Sequence, residues 1–505
     1  MPRHNSFSAL PVALSLGLAA CADLNRLAPT TGARLSGIDA TSSAAPTPSP
    51  APDATSSPAP PPASFAFTWS GLPMVTRRLE VSLASGDTVI ASTSLTPGVA
   101  TWAPGVAPGA TLSLEVRAHD ERRLVAVATA SVVPADGRQT SVELAFQPTV
   151  YRFAGTGQQG DFVEGVTARE ALLSNCRNLA SDGKNLFTFT YTTAPFSAQI
   201  MQVDPDGRIH RIAGNGAAVS QEVDNGLSPV DTSKPARDIP LPLPMYLTAD
   251  IHGNLWMMFR NRRTYRLATR RTDGPWPTLE AGQMAEVLAS PLAGTDRFGG
   301  LAVQPDGTVL VQTSKGLNST TWKMRGSTAS LEPWFGQQGA TNGFTEGDAL
   351  SGSGLQASRI TTSGDGSILL DSYTPEALWF VPASSGNHFG RSMSTGHAYD
   401  LMPAIRQNIP PVDPTFTDIS GWRTFLSDGS LVMSINNDGL VIKLDHESGK
   451  ISLLAGFPGR FAEAVPDGLP ASEWPVGFLF NITSFTDGRV FLTNMMFHQI
   501  YELAL

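Results

Sequence analysis

The stretch Asn178-Leu179-Ala180-Ser181-Asp182-Gly183, followed by Leu186-Phe187-Thr188-Phe189, decides the fold, because it is the first of six copies. Each copy is a short strand, a turn ending in glycine, then an apolar strand. The second reads Ala249-Asp250-Ile251-His252-Gly253-Asn254-Leu255-Trp256-Met257. Four more turns follow at Pro305-Asp306-Gly307, Gly364-Asp365-Gly366, Ser427-Asp428-Gly429 and Thr486-Asp487-Gly488. Successive turn glycines lie 70, 54, 59, 63 and 59 residues apart, enough chain for four strands per unit. Asp-Gly suits these hairpins because glycine accepts the positive φ that a tight turn demands. A period of this length, built from strands alone, predicts a ring of small sheets.

A second phrase joins the units. Phe153-Ala154-Gly155-Thr156-Gly157 leads to Glu164-Gly165, and Ile212-Ala213-Gly214-Asn215-Gly216 leads to Asn225-Gly226. Trp334-Phe335-Gly336-Gln337-Gln338-Gly339 leads to Glu346-Gly347, and Leu454-Ala455-Gly456 to Asp467-Gly468. The linkers after the second and fourth units lack the Ala-Gly phrase. Together the two phrases resemble the NHL repeat over 149–505. The resemblance implies a six-bladed β-propeller. The last unit has room for only three strands, Asn481–Phe485, Arg489–Thr493 and Gln499–Leu503. Val150-Tyr151-Arg152-Phe153-Ala154-Gly155, just ahead of the first unit, supplies the fourth and closes the ring. Closure hides edges that otherwise invite aggregation.

Working outward, 64–148 show period-two alternation. Phe65, Phe67 and Trp69 form one set; Leu79, Val81 and Leu83, Leu112, Leu114 and Val116, and Val142, Leu144 and Phe146 form three more. Turn residues separate them, which reads as a small antiparallel β-sandwich. Before it, 22–63 consist mainly of Ala, Pro, Ser and Thr, as in Ser42-Ser43-Ala44-Ala45-Pro46-Thr47-Pro48-Ser49-Pro50. So little apolar material builds no core, and this segment reads as a disordered, extended tether. At ~3 Å per residue its full reach is on the order of 100 Å.

Residues 1–21 carry Arg3, then an apolar run too short to span a bilayer, ending in Leu18-Ala19-Ala20-Cys21. That ending resembles the lipobox of bacterial lipoproteins. The resemblance implies that Cys21 is lipidated and becomes the mature N-terminus, and that Ala22 after it directs the chain to the outer membrane. The expected location is therefore the bacterial cell envelope, with membrane attachment through the lipid anchor alone. Cys176, the second cysteine, then has no disulfide partner.

Composition agrees with all-β architecture. Charged residues are 16% against an average near ~25%, and there are 47 Gly and 39 Pro. A net charge of −9 argues against nucleic acid as a partner.

A search for chemistry finds little. Gly155-Thr156-Gly157-Gln158-Gln159-Gly160 matches a dinucleotide fingerprint in letters. It is, however, one copy of a repeated interblade loop and lacks the βαβ context that the motif needs. Asp204-Pro205-Asp206-Gly207 opens like a calcium loop, with no glutamate at its twelfth position. No cofactor, metal ligand set or catalytic residue is predicted.

Aligning the six inner strands on their turn glycines is more informative. Five residues before each stand Asn178, Thr248, Ala302, Thr361, Thr424 and Thr483, all small. Seven before stand Cys176, Tyr246, Gly300, Arg359, Trp422 and Asn481, at the expected channel mouth. Packing between blades is the ordinary role of such positions. Tyr246, Arg359, Trp422 and Asn481 are also the residue types that anchor ligands, and they are the candidate ligand-binding residues. Two functional classes follow. One is a membrane-anchored binding or scaffold protein for a protein, peptide or glycan. The other is a metal-dependent propeller enzyme, lactonase- or lyase-like; the aligned positions offer it one Asn, no carboxylate and no His.

Overall fold

The computed structural model describes residues 63–135, 137–160, 162–193, 196–225, 227–259, 263–272, 274–288, 297–315, 318–326, 331–336, 346–348, 357–373, 376–408, 421–435, 439–456, 467–475, 479–494 and 497–505. Cys21, the lipobox and residues 22–62 of the tether lie outside these residues.

Among the described residues, four four-stranded antiparallel sheets, a five-stranded one and the last four strands of a nine-stranded one make six blades. Blade one is Leu179–Ser181, Leu186–Thr193, Phe196–Val203 and Ile209–Ala213; blade two is Pro244–Ala249, Asn254–Phe259, Thr264–Ala268 and Met284–Leu288. Blade three is Arg297–Val303, Val309–Lys315, Asn318–Met324 and Leu331–Phe335. Blade four is Ala357–Thr362, Ile368–Tyr373, Glu376–Val381 and His397–Asp400, with an inserted hairpin, Gly386–His388 and Arg391–Met393. Blade five is Arg423–Phe425, Leu431–Ile435, Leu440–Leu444 and Ile451–Ala455. Blade six is Leu479–Ser484, Arg489–Asn494, Gln499–Ala504 and, from the other side of the ring, Gln147–Ala154. Each innermost strand touches the next one round, and the sixth touches the first. The fold is a closed six-bladed β-propeller.

The seam is antiparallel, with Leu503 opposite Val150, Glu502 opposite Tyr151 and Ile500 opposite Ala154. The middle strands of the blades are buried on both faces, as in Asn254–Phe259 and Leu431–Ile435, because each sheet is covered by its two neighbours.

The interblade phrase has a physical cause. Gly155, Gly214 and Gly456 have φ of 85°, 79° and 110°. A Cβ on them would collide with the carbonyl oxygens of His498, Ala198 and Gly439, at or just before the adjoining strand. Their N–H groups donate to Ala168, Ala236 and Ala471 at 2.9 Å in each case. Those alanines are buried and open three short 3-10 turns, Ala168–Glu170, Ala236–Asp238 and Ala471–Glu473. The Gly155–Gly160 loop thus leads to a 3-10 turn, whereas a dinucleotide site needs a helix there. The acidic-Gly pairs stitch each entering loop to the outer strand of its own blade. Glu164 accepts from Arg211 N (3.2 Å), Glu346 from Asp400 N (3.1 Å) and Asp467 from Arg152 N (2.9 Å).

The N-terminal β-unit holds two sheets around one core of Phe65, Phe67, Leu79, Val81, Leu83, Leu114 and Val116. The expectation of a wholly antiparallel sandwich fails at one point. Ser64–Ser70 and Gln139–Ala145 pair in parallel along their whole length, which strands so far apart in the chain can do because no tight hairpin joins them. The larger sheet does not stop at the unit's end. Strand Leu124–Val132 pairs with Gln147 and Pro148, at the start of the seam strand, so that sheet runs on into blade six. Ala504 of blade six lies in the sandwich core. The expected boundary between 148 and 149 therefore falls inside a strand shared by both parts.

Candidate functional site

The inner strands of blades two, three, four and six share a device that periodicity does not reveal. Each skips one residue of pairing, at Met245, Gly299, Ser358 and Phe480, just before the position aligned above. Bulges of this kind bend a strand and re-aim the neighbouring side chains. In blade five Trp422 is fixed differently: its N–H donates to Ser434 Oγ and its carbonyl accepts from Ser434 N, both at 2.9 Å.

All four candidates line one cavity of about 230 Å³ at the start of the inner strands. Deeper in, Thr248, Thr361, Thr424 and Thr483 line it too. The remaining two aligned positions contribute no side chain. A Cβ at Gly300 would press on Ile360, so glycine there permits close approach of blades three and four. Cys176 is fully buried beside Gln499 O, and burial pushes its thiol up to about 12. Asn178, two positions further along blade one, takes its place in the lining.

Each candidate also reaches forward to the next blade. Tyr246 packs against a cluster containing Leu301 and Val311 of blade three. Arg359 donates to Gly421 O and lies with its guanidinium 4.2 Å from the centre of the Trp422 ring. Trp422 meets Phe480 of blade six at 5.7 Å. Asn481 donates to Asn178 of blade one at 3.1 Å, and Asn178 donates onward to Met245 O at 2.7 Å. Interblade packing and exposure to the cavity are thus properties of the same side chains.

Sequence alignment on the inner strands missed two charged liners. Asp371, on the second strand of blade four, stands opposite Arg359 in register. It makes an ion pair with Arg359 at 3.5 Å and a closer one with Arg423 of blade five. Asp371 and Arg423 are both over nine-tenths buried. The cavity therefore also holds a carboxylate, supplied from outside the aligned positions, and two guanidiniums engage it. Isolated buried charges are costly, and mutual pairing with hydrogen bonds is what makes them tolerable. The signal that finds Asp371 is its place five residues after the turn glycine Gly366, directly after the apolar run Ile368-Leu369-Leu370.

Arginine–aromatic contacts continue beyond the lining residues. Arg177 lies 5.1 Å from the Phe480 ring and 4.9 Å from the Tyr191 ring. Such stacking fixes the planes of guanidinium groups. Among the described residues no group of three or more His, Cys, Asp or Glu side chains is gathered as metal ligands are. One carboxylate already shared by two arginines does not form the convergent oxygen set that a divalent cation takes.

No family model matches the chain, and no curated protein matches it. Solved structures similar to it include a protein of unknown function from Bacteroides thetaiotaomicron, at 11% identity and a TM-score of 0.45, covering 84% of this chain and 90% of that one. An auxiliary nutrient-binding protein from Bacteroides ovatus is 9% identical with a TM-score of 0.41, covering 88% and 97%. A virginiamycin B lyase from Staphylococcus aureus is 11% identical with a TM-score of 0.36, covering 78% and 91%.

Proposed function

We propose that this is a lipid-anchored protein of the bacterial envelope, held at the outer membrane through Cys21, whose propeller binds a ligand at the channel mouth. One observation carries the binding reading. Four large and chemically different side chains, Tyr246, Arg359, Trp422 and Asn481, converge from four blades on one cavity, whereas the threonines below them are uniform. Packing alone favours uniformity around a ring; a varied rim supports recognition. The engagement of Asp371 by Arg359 and Arg423 favours binding over metal-dependent catalysis. The ligand is a protein, peptide or glycan group small enough to enter the mouth.

Ligand-observed NMR with a mixed library of short peptides and glycans tests this. Hits on the wild-type protein should be lost in Trp422→Ala, with the thermal unfolding curve retained. Hits that all survive that substitution would refute the channel reading. Anchoring is tested separately: Cys21→Ser should move the protein out of the membrane fraction, and identical fractionation of the two proteins overturns it.

A further inference from the structure

The large sheet shared by the sandwich and blade six ends, on the sandwich side, at strand Thr88–Leu95. Among the described residues this strand is paired on one side only, with Arg78–Ser85. Its other side presents an open backbone edge. Such edges invite further strands, and proteins blunt them with charge, proline, shortness or a covering segment. Other outer edges of the molecule carry this protection. The outer strand of blade one holds Arg211, that of blade two Glu286, and that of blade three Glu332 and Pro333. The seam strand is covered by Leu469–Pro470. In the smaller sandwich sheet one edge strand, Thr101–Trp102, has only two residues, and the other carries Glu143. Thr88–Leu95 is eight residues long and has neither charge nor proline.

The sequence of the edge points to what pairs with it. A bulge at Ile90, where Leu83 faces Ala91 and Ala84 faces Val89, leaves 91–95 as the regular part. That part, Ala91-Ser92-Thr93-Ser94-Leu95, has nearly the same pattern in either direction. Ala91, Thr93 and Leu95 are half-buried on the core side, and Ser92 and Ser94 are exposed. A second copy laid antiparallel, with a two-fold axis at Thr93, sets Thr93 against its own copy, Ala91 against Leu95 and Ser92 against Ser94. Both faces then continue across the join. The half-covered Ala91 and Leu95 gain an apolar neighbour, threonine meets threonine, and no like charges meet. The same rotation carries the exposed Val89 and Ile90 of one copy towards the turn Thr96-Pro97-Gly98-Val99 of the other, where Val99 is exposed. An unrelated strand has no reason to match this symmetry; a second copy matches it by construction. We infer that Thr88–Leu95 is a self-association edge, through which two copies of this chain join antiparallel over 91–95 and extend the large sheet from one molecule into the next. A strand pair this short buries less than the roughly 1,200 Å² at which stable interfaces begin, so the dimer forms and parts with concentration. This surface is independent of the channel mouth.

The test is sedimentation velocity of the full chain in a non-ionic detergent over a concentration series. Wild-type protein should pass from monomer to dimer as concentration rises. Ser92→Lys combined with Ser94→Lys sets lysine against lysine twice across the axis and should weaken association by about tenfold or more. Ser92→Lys combined with Ser94→Glu sets opposite charges against each other across the same axis and should restore association. Both pairs of substitutions lie on the exposed face, so the melting temperature of dilute protein should not change. Thr93→Cys, on the axis, should give a covalent dimer under mild oxidation, and Ser82→Cys, on the neighbouring strand, should not. A wild-type chain that stays monomeric throughout overturns the inference. So does a dimer that the two lysines leave intact, an opposite-charge variant no better than the double lysine, or equal cross-linking through the two introduced cysteines.

Discussion

The sandwich and the propeller solve burial in opposite ways. In the sandwich, residues 78–84 and Leu112–His119 alternate between buried and accessible positions, because one face meets the core and the other meets water. In the propeller, Asn254–Phe259 and Gln499–Ala504 are buried at every position, because both faces are covered. One part has a single core, the other a core divided among the gaps between blades. Alternation in sequence therefore marks a one-sided sheet, and continuous apolar runs mark a two-sided one. The seam strand Gln147–Ala154 belongs to both parts, and the comparison is sharpest there.

The largest effect is expected from removing that strand. A chain starting at Gln147 keeps it; a chain starting at Thr156 loses it and leaves Gln499–Ala504 as an open edge. The longer chain should unfold cooperatively and the shorter should melt at a much lower temperature or aggregate, as read by circular dichroism. Equal melting temperatures would show that the ring does not depend on its closing strand.

A deletion within the sandwich core tests how far the shared sheet couples the two parts. Leu83 is fully buried, and Leu83→Ala should cost about 2–5 kcal/mol. If the parts are separate folding units, calorimetry should show the sandwich transition falling while the propeller transition stays. A joint shift of both would mean that the seam strand makes them one unit.

Alkali should weaken the seam next. Burial raises the Cys176 thiol from 9.0 to about 12 and the Tyr501 phenol from 10.0 to about 12. Both groups are neutral at pH 7, and both are harder to ionise in the folded chain than in the unfolded one. The stability they lend is present below the unfolded values and is lost as pH rises from about 9 towards 12. Denaturant unfolding at a series of alkaline pH values should show this decline, shifted upwards in Cys176→Ala. A flat profile would mean that the two groups are not shut in at the seam.

The smallest stability effect belongs to the channel mouth. Asn481→Ala removes the bond to Asn178 and should cost about 1–2 kcal/mol, with binding weakened by a further 1–3 kcal/mol or so if Asn481 also anchors the ligand. Unchanged affinity with reduced stability would assign Asn481 to packing alone.

The propeller was legible because its evidence is local. A hairpin needs its Asp-Gly within a few residues, and Gly155, Gly214 and Gly456 are required by carbonyls that sit where a Cβ would be. The small residues five before each turn glycine were legible for the same reason: crowding near the axis acts on each strand separately. What escaped was pairing between distant strands. Nothing in the alternation of Phe65, Phe67 and Trp69 says that their strand runs parallel to Gln139–Ala145. Nothing in the inner-strand alignment places Asp371 between Arg359 and Arg423, since that depends on register across two blades. The skipped residues Met245, Gly299, Ser358 and Phe480 carry no common letter, so the bulges were invisible. The candidate residues were found through their position and their types, and their partners only through the structure.

The seam also sets an order of events in time. Val150 is made early and its partner Leu503 near the end of the described chain, so the ring cannot shut until almost all of it has been synthesised. Contacts so far apart in sequence form slowly, and an unpaired strand waiting for its partner is prone to wrong pairings. Gln147 and Pro148, by contrast, pair with Val127 and Ala126 of the sandwich, which lie about twenty residues earlier in the chain. One side of the final join therefore has a partner made long before the last strand.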